Sequence, residues 1–479
     1  MKKSRFALLA VLPVILVIFA SCMSPRTQGD ADAQEAHALT IGSSINLFDM
    51  ITDLDLTDKI IWSSNASDIA AVTENGIATA LSFSDSVSGT GKAVITARDK
   101  NGDRETFSIL TTMMGLVDMM ELPPLKDQFS EFFMIGAIFH NGTSQGQGGF
   151  PSDVPSGATT VMNPRLIHHF NVLTHENEMK PASISTGRNS STGVISYNWA
   201  TADRMVNAAL ESGFKIVGHT LLWHSQIPEW QRQIASQPRE VALAAMKQYI
   251  TDVVGRYKGK IYAWDVINEA LPNSMSDPGS WRTAMRSENP WFRSIGADFV
   301  YEGFLAARLA DPAAILYYND FNLNENGKAT TVRNMVRDVN ERYIREHGGT
   351  RPLIEGIGMQ GHHNTGVSAD SIRRSLNLFR PLGVKISISE LDILSQGWGE
   401  YSPNRNPPTN NGKLRAANLY GEYFKVFLDN ADIIERVTFW GVFDEQSWRR
   451  TGLPLLFEGS TTSRAKPAYY RIISELENR

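Results

Sequence analysis

From about residue 129 onward, short apolar runs alternate with longer stretches that are apolar only at every third or fourth position. Eight runs stand out: Phe132–Ile138, Phe170–Thr174, Lys215–Gly218, Ile261–Ile267, Ala314–Tyr318, Ile354–Met359, Val384–Ser389 and Arg436–Trp440. Their length and near-continuous apolar character suit strands buried on both faces, as in parallel sheets. Between them, Pro238–Tyr257 puts Ala245, Tyr249, Val253 and Tyr257 on one helical face, and Thr201–Leu210 reads as a helix stopped by Gly213. Eight strand–helix units in about 350 residues predict an α/β fold of the (β/α)8 TIM-barrel kind. A doubly wound open sheet competes, but it would suit a glycine-rich nucleotide turn, and no G-x-G-x-x-G opens a helix here.

Upstream the pattern changes to short strands separated by turns. Lys59–Ser63, Ile69–Val72, Gly76–Ala80, Ala93–Ala97 and Glu105–Ile109 read as strands, with turn chemistry at Asn75-Gly76 and Lys100–Asp103. Such spacing predicts a small all-β sandwich over residues 39–112, a linker over 113–128 containing Pro123-Pro124, and the barrel over 129–479. The run "IIWSSNASDIAAVTENGIATA…GKAVITARDKNG" resembles the bacterial Ig-like (group 2) domains, which implies a spacer or adhesion module. It holds no cluster of catalytic residue types, and Trp62, in an apolar strand, is expected in its core.

The N-terminus is different in kind. Lys2, Lys3 and Arg5 precede an apolar run, Phe6–Ala20, shorter than the ~20 residues that span a bilayer comfortably. Residues 1–21 therefore read as a secretory signal. The segment ends Phe19-Ala20-Ser21-Cys22 and resembles a bacterial lipobox, which implies a lipidated Cys22, export, and anchoring to the cell envelope with the outer membrane or cell surface as destination. A plain signal peptide with an incidental cysteine is the alternative. Residues 22–38, small and polar, read as a tether. Cys22 is the only cysteine, so no intramolecular disulfide forms. With 42% hydrophobic and 20% charged residues and a net charge of −5 over 479 residues, the chain is globular and lacks the basic footprint of a nucleic-acid binder. It is expected to be a monomer.

Polar residues gather where the barrel strands end. Strand two ends in "THENEMKP", strand three in "GHTLLWH", strand four in Asn268-Glu269, strand six in "GMQGHH", strand seven in "SISELDI" and strand eight in "FWGVFDEQSW". Six such clusters on one barrel end exceed what strand capping needs, and that end carries the active site in barrel enzymes. Glu269 and Glu390 follow strands four and seven. Two carboxyl groups converging on one bond are what glycoside hydrolysis requires, one to protonate the leaving oxygen and one on the other side of the anomeric carbon. A lone strand-end glutamate is more often a structural hydrogen-bonder; the pair, in these surroundings, points to catalysis.

"ENEMKP", "GHTLLWHSQIPEW", "WDVINEA", "YYNDFN", "GIGMQGHH", "ISELDI" and "FWGVFDEQSWRRTGLPLLF" occur in the order seen in family-10 glycoside hydrolases, the endo-β-1,4-xylanases, and the resemblance runs from about Phe132 to Tyr470. It implies a retaining mechanism on xylan and xylo-oligosaccharides, without a cofactor, with Glu269 as acid/base and Glu390 as nucleophile. Asn268 would bond the sugar 2-hydroxyl. His362 resembles the histidine that orients the nucleophile, with Asp392, two residues after Glu390 on the same strand face, bonding that histidine and Gln360 in the same set. Glu176, Asn177 and Lys180 match residues that bind sugar hydroxyls on the non-reducing side, His219 and Trp223 line the same region, and Trp440 and Trp448 offer flat faces to the sugar. Trp264 and Trp199 are expected to be packing residues instead.

Adjacent histidines at His168-His169 and His362-His363 invite a metal reading, but neighbours on a strand or loop point apart, and no metal is expected. Long loops follow strands one, four and seven; the last two carry Trp281, Trp291, Trp398 and Tyr401 and would shape outer subsites or be flexible insertions. A related barrel β-glucanase and a non-catalytic glycan-binding surface lipoprotein are the competing functions. The second would fit the loss of either glutamate, and both are present.

Overall fold

The computed structural model describes residues 35–40, 44–48, 60–81, 90–98, 105–113, 117–141, 153, 162–275, 278–397, 399, 401, 408–459, 463–477 and 479. The stretch read as a signal, Cys22, most of the loop after the first barrel strand, and Trp398 lie outside these residues.

Eight parallel strands close on themselves: β1 (Met134–Phe139), β2 (Val172–His175), β3 (Lys215–Leu222), β4 (Ala263–Asn268), β5 (Ile315–Asp320), β6 (Gly356–Met359), β7 (Lys385–Leu394) and β8 (Ile434–Phe439). Closure is made where Arg436 of β8 lies opposite Met134 of β1 and where Gly356 of β6 lies opposite Lys385 of β7. A principal helix separates or follows each pair, with shorter helical turns beside some of them: α1 (Pro164–His169), α2 (Ala200–Glu211), α3 (Arg239–Arg256), α4 (Asp298–Ala310), α5 (Asn326–His347), α6 (Ala369–Phe379), α7 (Asn410–Asp429) and α8 (Pro467–Glu477). This is a (β/α)8 TIM barrel. The helix α2 ends as its sequence implies, with Gly213 at φ +83° just beyond it, a conformation that costs glycine little.

The apolar strand residues fill the space inside and around the barrel because parallel strands here are covered on both faces. Trp264 of β4 is fully buried against Gly218 of β3, where an added Cβ would stand 2.1 Å from the indole Cε3. Two strands run further than their apolar runs. The strand β3 continues to Leu222 and β7 to Leu394, so His219, Glu390 and Asp392 project from rigid strands. Burying those polar groups is tolerated because each has a side-chain partner. A short strand, His362–Asn364, adds to the end of β7 with His362 opposite Asp392.

Upstream, two sheets face one another. One has the strand order Glu35–Thr40, Glu105–Met113, Thr90–Arg98, Ile61–Ser64; the other has Ser44–Asn46, Ile77–Ala80, Ala70–Val72. Leu47, Ile69, Ala70, Ala78, Ala93, Ile95 and Leu110 form the core between them, and Trp62 packs against it with Gly76 beneath the indole. The first strand begins at Glu35, inside the stretch read as a tether. Its sequence, EAHALT, has little strand propensity of its own, and parallel pairing with Ser108–Met113 supplies the order.

The stretch read as a linker over 113–128 also needs correction. Met119 and Leu125 are fully buried in the barrel core, and Met119 N donates to Ser463 O at 2.7 Å. Prolines and a short polar run disguised a segment that closes the bottom of the barrel.

Candidate active site

At the carboxyl ends of the strands lies a cleft of about 870 Å³, and twelve of the residues picked from the sequence line it: Glu176, Asn177, Lys180, His219, Trp223, Asn268, Glu269, Gln360, His362, Glu390, Trp440 and Trp448. Asp392 stands behind His362, outside the cleft wall.

Glu269 leaves β4 in a left-handed conformation, φ +53°, which costs a non-glycine residue roughly 1–3 kcal/mol and persists only where its surroundings enforce it. The bend turns its carboxylate into the cleft. Gln360 Nε2 donates to its Oε1 at 2.9 Å, Asn268 Nδ2 donates to the same oxygen at 3.3 Å, and Trp223 Nε1 donates to Oε2 at 3.0 Å. Glu390, buried on β7, accepts from Asn319 Nδ2 at 2.7 Å on one oxygen and lies 3.0 Å from His362 Nε2 on the other. Asn268 Oδ1 joins the halves by accepting from Asn319 Nδ2 at 2.9 Å and Gln360 Nε2 at 3.2 Å. The two carboxylates thus sit in one amide network but in different fields. Glu269 meets neutral donors only, whereas Glu390 meets an imidazole.

That imidazole is held charged. Burial opposes the charge on His362, but Asp392 and Glu390 on either side outweigh it and raise the pKa to about 9. His362 Nδ1 lies 3.0 Å from Asp392 Oδ1. Burial pushes Asp392 up, yet Arg449 and His362 hold it below the usual carboxylate range. Arg449 Nη1 donates to Asp392, as does Trp448 Nε1 at 3.1 Å, and Arg449 Nη2 donates to His363 O at 3.1 Å. Opposite charges therefore alternate from Arg449 through Asp392 and His362 to Glu390. Arg449 was not singled out from the sequence, where two arginines after Trp448 look like an ordinary solvated pair.

On the β2–β3 side, Lys180 Nζ donates to Asn177 Oδ1 at 3.0 Å and lies 5.3 Å from the Trp223 ring. Burial lowers the pKa of Lys180 and pushes Glu176 up to about 7. His219 Nδ1 is fixed by Asp265 at 3.0 Å, and its ring meets Trp440 edge-on at 5.4 Å. Trp440 is buried, while Trp448 is 52% exposed at the cleft mouth. Across the cleft, Asn273, Phe321, Asn322, Asn324 and Glu325 add to the wall from the loops after β4 and β5, and Ser225, Gln226, Asn364, Val367 and Arg449 line the rest. Phe321 and Asn322 lie within "YYNDFN", but nothing besides their place after a strand distinguished them or Asn319 in the sequence.

The profile of glycosyl hydrolase family 10 matches residues 139–475. The chain belongs to that family. A termite-gut protein, described as a bacterial Ig-like domain containing GH10 xylanase, is 47% identical with a TM-score of 0.76, over 93% of this chain and 99% of that one. Endo-1,4-beta-xylanase B of Paenibacillus barcinonensis is 32% identical over 74% of this chain and 99% of its own length, and a solved structure of that xylanase superposes with a TM-score of 0.62. Endo-1,4-beta-xylanase A of Thermotoga maritima is 34% identical, but the matched region spans only 31% of that longer protein.

In this family 10 chain Trp281 and Trp291, from the loop after β4, do not line the cleft. Trp281 is buried and donates Nε1 to Asp338 at 2.8 Å, and Trp291 is buried against Trp230. They anchor the β4–α4 insertion to the barrel, because large apolar surface in a long loop is most stable when buried. Tyr401 packs near Arg449, its ring centroid 5.9 Å from the guanidinium carbon. Asp153, in the stretch after β1, accepts from His140 N at 3.0 Å and Asn163 Nδ2 at 2.9 Å. His168 and His169 meet the carbonyls of Leu122 and Met119 at 2.8 and 2.7 Å, so both serve the segment that closes the barrel. Among the described residues, no three His, Cys, Asp or Glu side chains form a group able to hold a metal ion, and no helix is long and apolar enough to cross a membrane.

Proposed function

We propose that this protein is a retaining endo-β-1,4-xylanase with Glu390 as nucleophile and Glu269 as acid/base. The observation carrying the reading is the difference between the two carboxylates. Glu390 is braced by Asn319 and by a histidine held charged, suited to attack as an anion, while the Glu269 carboxylate accepts hydrogen bonds only from the neutral side chains of Gln360, Asn268 and Trp223. In the first step Glu390 forms a bond to the anomeric carbon as the bond to the leaving sugar breaks, and Glu269 gives its proton to the leaving oxygen. In the second, Glu269 takes a proton from water, which attacks the anomeric carbon and frees Glu390. Asn268 bonds the sugar 2-hydroxyl, a contact that strengthens in the transition state. Glu176, Asn177, Lys180, His219 and Trp223 bind hydroxyls on the non-reducing side. Trp440 and Trp448 cover the sugar faces, Trp448 where a glucose hydroxymethyl would need room. The xylanase names of relatives covered almost end to end support xylan as substrate. Two carboxylates in one cleft count against a retired, merely glycan-binding protein.

A panel of xylan, mixed-linkage glucan and carboxymethyl-cellulose, followed by proton NMR, tests this. Xylan should be preferred and the β-anomer should appear first; early α-anomer or a preference for glucan refutes the reading. Glu390→Ala should be inactive whatever the leaving group. Glu269→Ala should keep its first step on a dinitrophenyl glycoside and yield a β-glycosyl azide when azide is added; a β-azide from Glu390→Ala and an α-azide from Glu269→Ala instead would reverse the two roles.

We read the upstream sandwich as a bacterial Ig-like spacer, supported by the description of the termite-gut relative that aligns over 93% of the chain. We read Cys22 as a lipid attachment site that tethers a monomeric enzyme to the cell envelope. Cys22→Ser should then release the protein from the membrane fraction or block its processing; normal processing with retained membrane binding would refute the anchor.

A further inference from the structure

We propose that Arg286, on the insertion between β4 and α4, is a positioning residue that holds Glu269 and the adjoining wall of the cleft in one geometry. The proposal rests on Glu269 being the acid/base.

A left-handed glutamate has to be held from both sides of its turn. On the strand side, Glu269 N donates to Asn319 O at 2.9 Å. On the exit side both carbonyls go to one residue: Arg286 Nε donates to Glu269 O at 3.0 Å, and Arg286 N donates to Ala270 O at 2.8 Å. The rest of the guanidinium reaches outward. Nη2 donates to Asn273 Oδ1 at 2.6 Å, Nη1 donates to Glu288 Oε1 at 3.1 Å, and the group lies 5.7 Å from the Phe321 ring. Asn273 and Phe321 are cleft residues, so a side chain only 8% exposed ties the acid/base backbone to the wall beside it. The planar, five-donor guanidinium can satisfy three directions at once, which a lysine ammonium on a flexible stem cannot. A proton donor must stand within hydrogen-bond reach of the leaving oxygen, and a misplacement of about 1 Å can cost on the order of a hundredfold in rate.

The test uses Arg286→Met and Arg286→Lys in the full chain, with Glu269→Ala as reference, and compares kcat/KM on phenyl and 2,4-dinitrophenyl β-xylobiosides. Phenolate needs proton donation to leave; dinitrophenolate does not. Arg286→Met should lose roughly tenfold or more on the phenyl substrate and less than about threefold on the dinitrophenyl one, with Arg286→Lys between it and wild type. A purely structural role would lower both substrates equally, and an equal fall, or no fall on either, overturns the proposal. Should Arg286→Met fail to fold, the ratio measured on Arg286→Lys decides in the same way. If Glu269→Ala itself shows no leaving-group discrimination, the acid/base assignment falls and this proposal with it. If Glu269→Ala discriminates and the Arg286 variants do not, only the role of Arg286 is lost.

Discussion

Replacing Asp392 by Asn should strip His362 of its charge near neutral pH. Asp392 is fully buried, 3.0 Å from His362 Nδ1, and accepts from Arg449 and Trp448. His362 is raised from 6.5 to about 9, and at 1.36 kcal/mol per pH unit this is about 3 kcal/mol in favour of the imidazolium. Burial opposes the charge, so removing the nearest anion leaves Glu390 alone against it, and the pKa should fall to below about 7. Because the folded value lies above the unfolded one, the charged pair stabilises the fold fully below about pH 6.5, and that contribution is lost as pH rises through about 9. Asp392 has the opposite sign. Its lowered pKa stabilises above the ordinary value of 3.8 and is lost in acid, so the two sides overlap between roughly pH 4 and 6.5. The mutant also removes the carboxylate that accepts from Arg449 Nη1, which should lower the stability of the fold. Nitrogen-15 NMR of the imidazole reads the protonation directly. The wild-type ring should keep both N–H protons through pH 8 and release one near 9, while Asp392→Asn should titrate about two pH units lower. A wild-type midpoint near 6.5, or an unchanged midpoint in Asp392→Asn, would refute the alternating-charge argument.

A chain beginning at Val117 should fold and keep kcat/KM within about tenfold, because the upstream sandwich supplies no residue of the described cleft. One beginning at Phe129 loses the fully buried Met119 and Leu125, at about 1.5–3 kcal/mol each, and leaves His168 and His169 without their carbonyl partners; equal melting temperatures for the two truncations would contradict the packing described here. Gly218→Ala places a Cβ 2.1 Å from Trp264 Cε3 in a fully buried layer and should cost about 3 kcal/mol or more. Thermal denaturation checks it, and a melting temperature within about 2 °C of wild type would show that the layer can relax.

The barrel was legible because buried parallel strands leave near-continuous apolar runs that few other structures need, and because catalysis gathers polar residues where those runs stop. What escaped notice has a common physical cause. Strands β3 and β7 outrun their apolar stretches since His219, Glu390 and Asp392 have their partners on other elements, and partners distant in sequence leave no local mark. The buried arginines show the same blindness. In a sequence, Arg286 and Arg449 are indistinguishable from arginines on a solvated loop, yet both are buried, one on the carbonyl of Glu269 and the other on the carboxylate behind His362. Met119 and Leu125 were hidden differently, their apolar character interrupted by prolines that suit a segment crossing the barrel bottom. The residues that touch a sugar could therefore be read from strand ends, but those that hold them are fixed by long-range charge and hydrogen bonding. For that reason Asp392→Asn and Arg286→Met probe the fold's contribution to the site more sharply than another substitution on the cleft wall would.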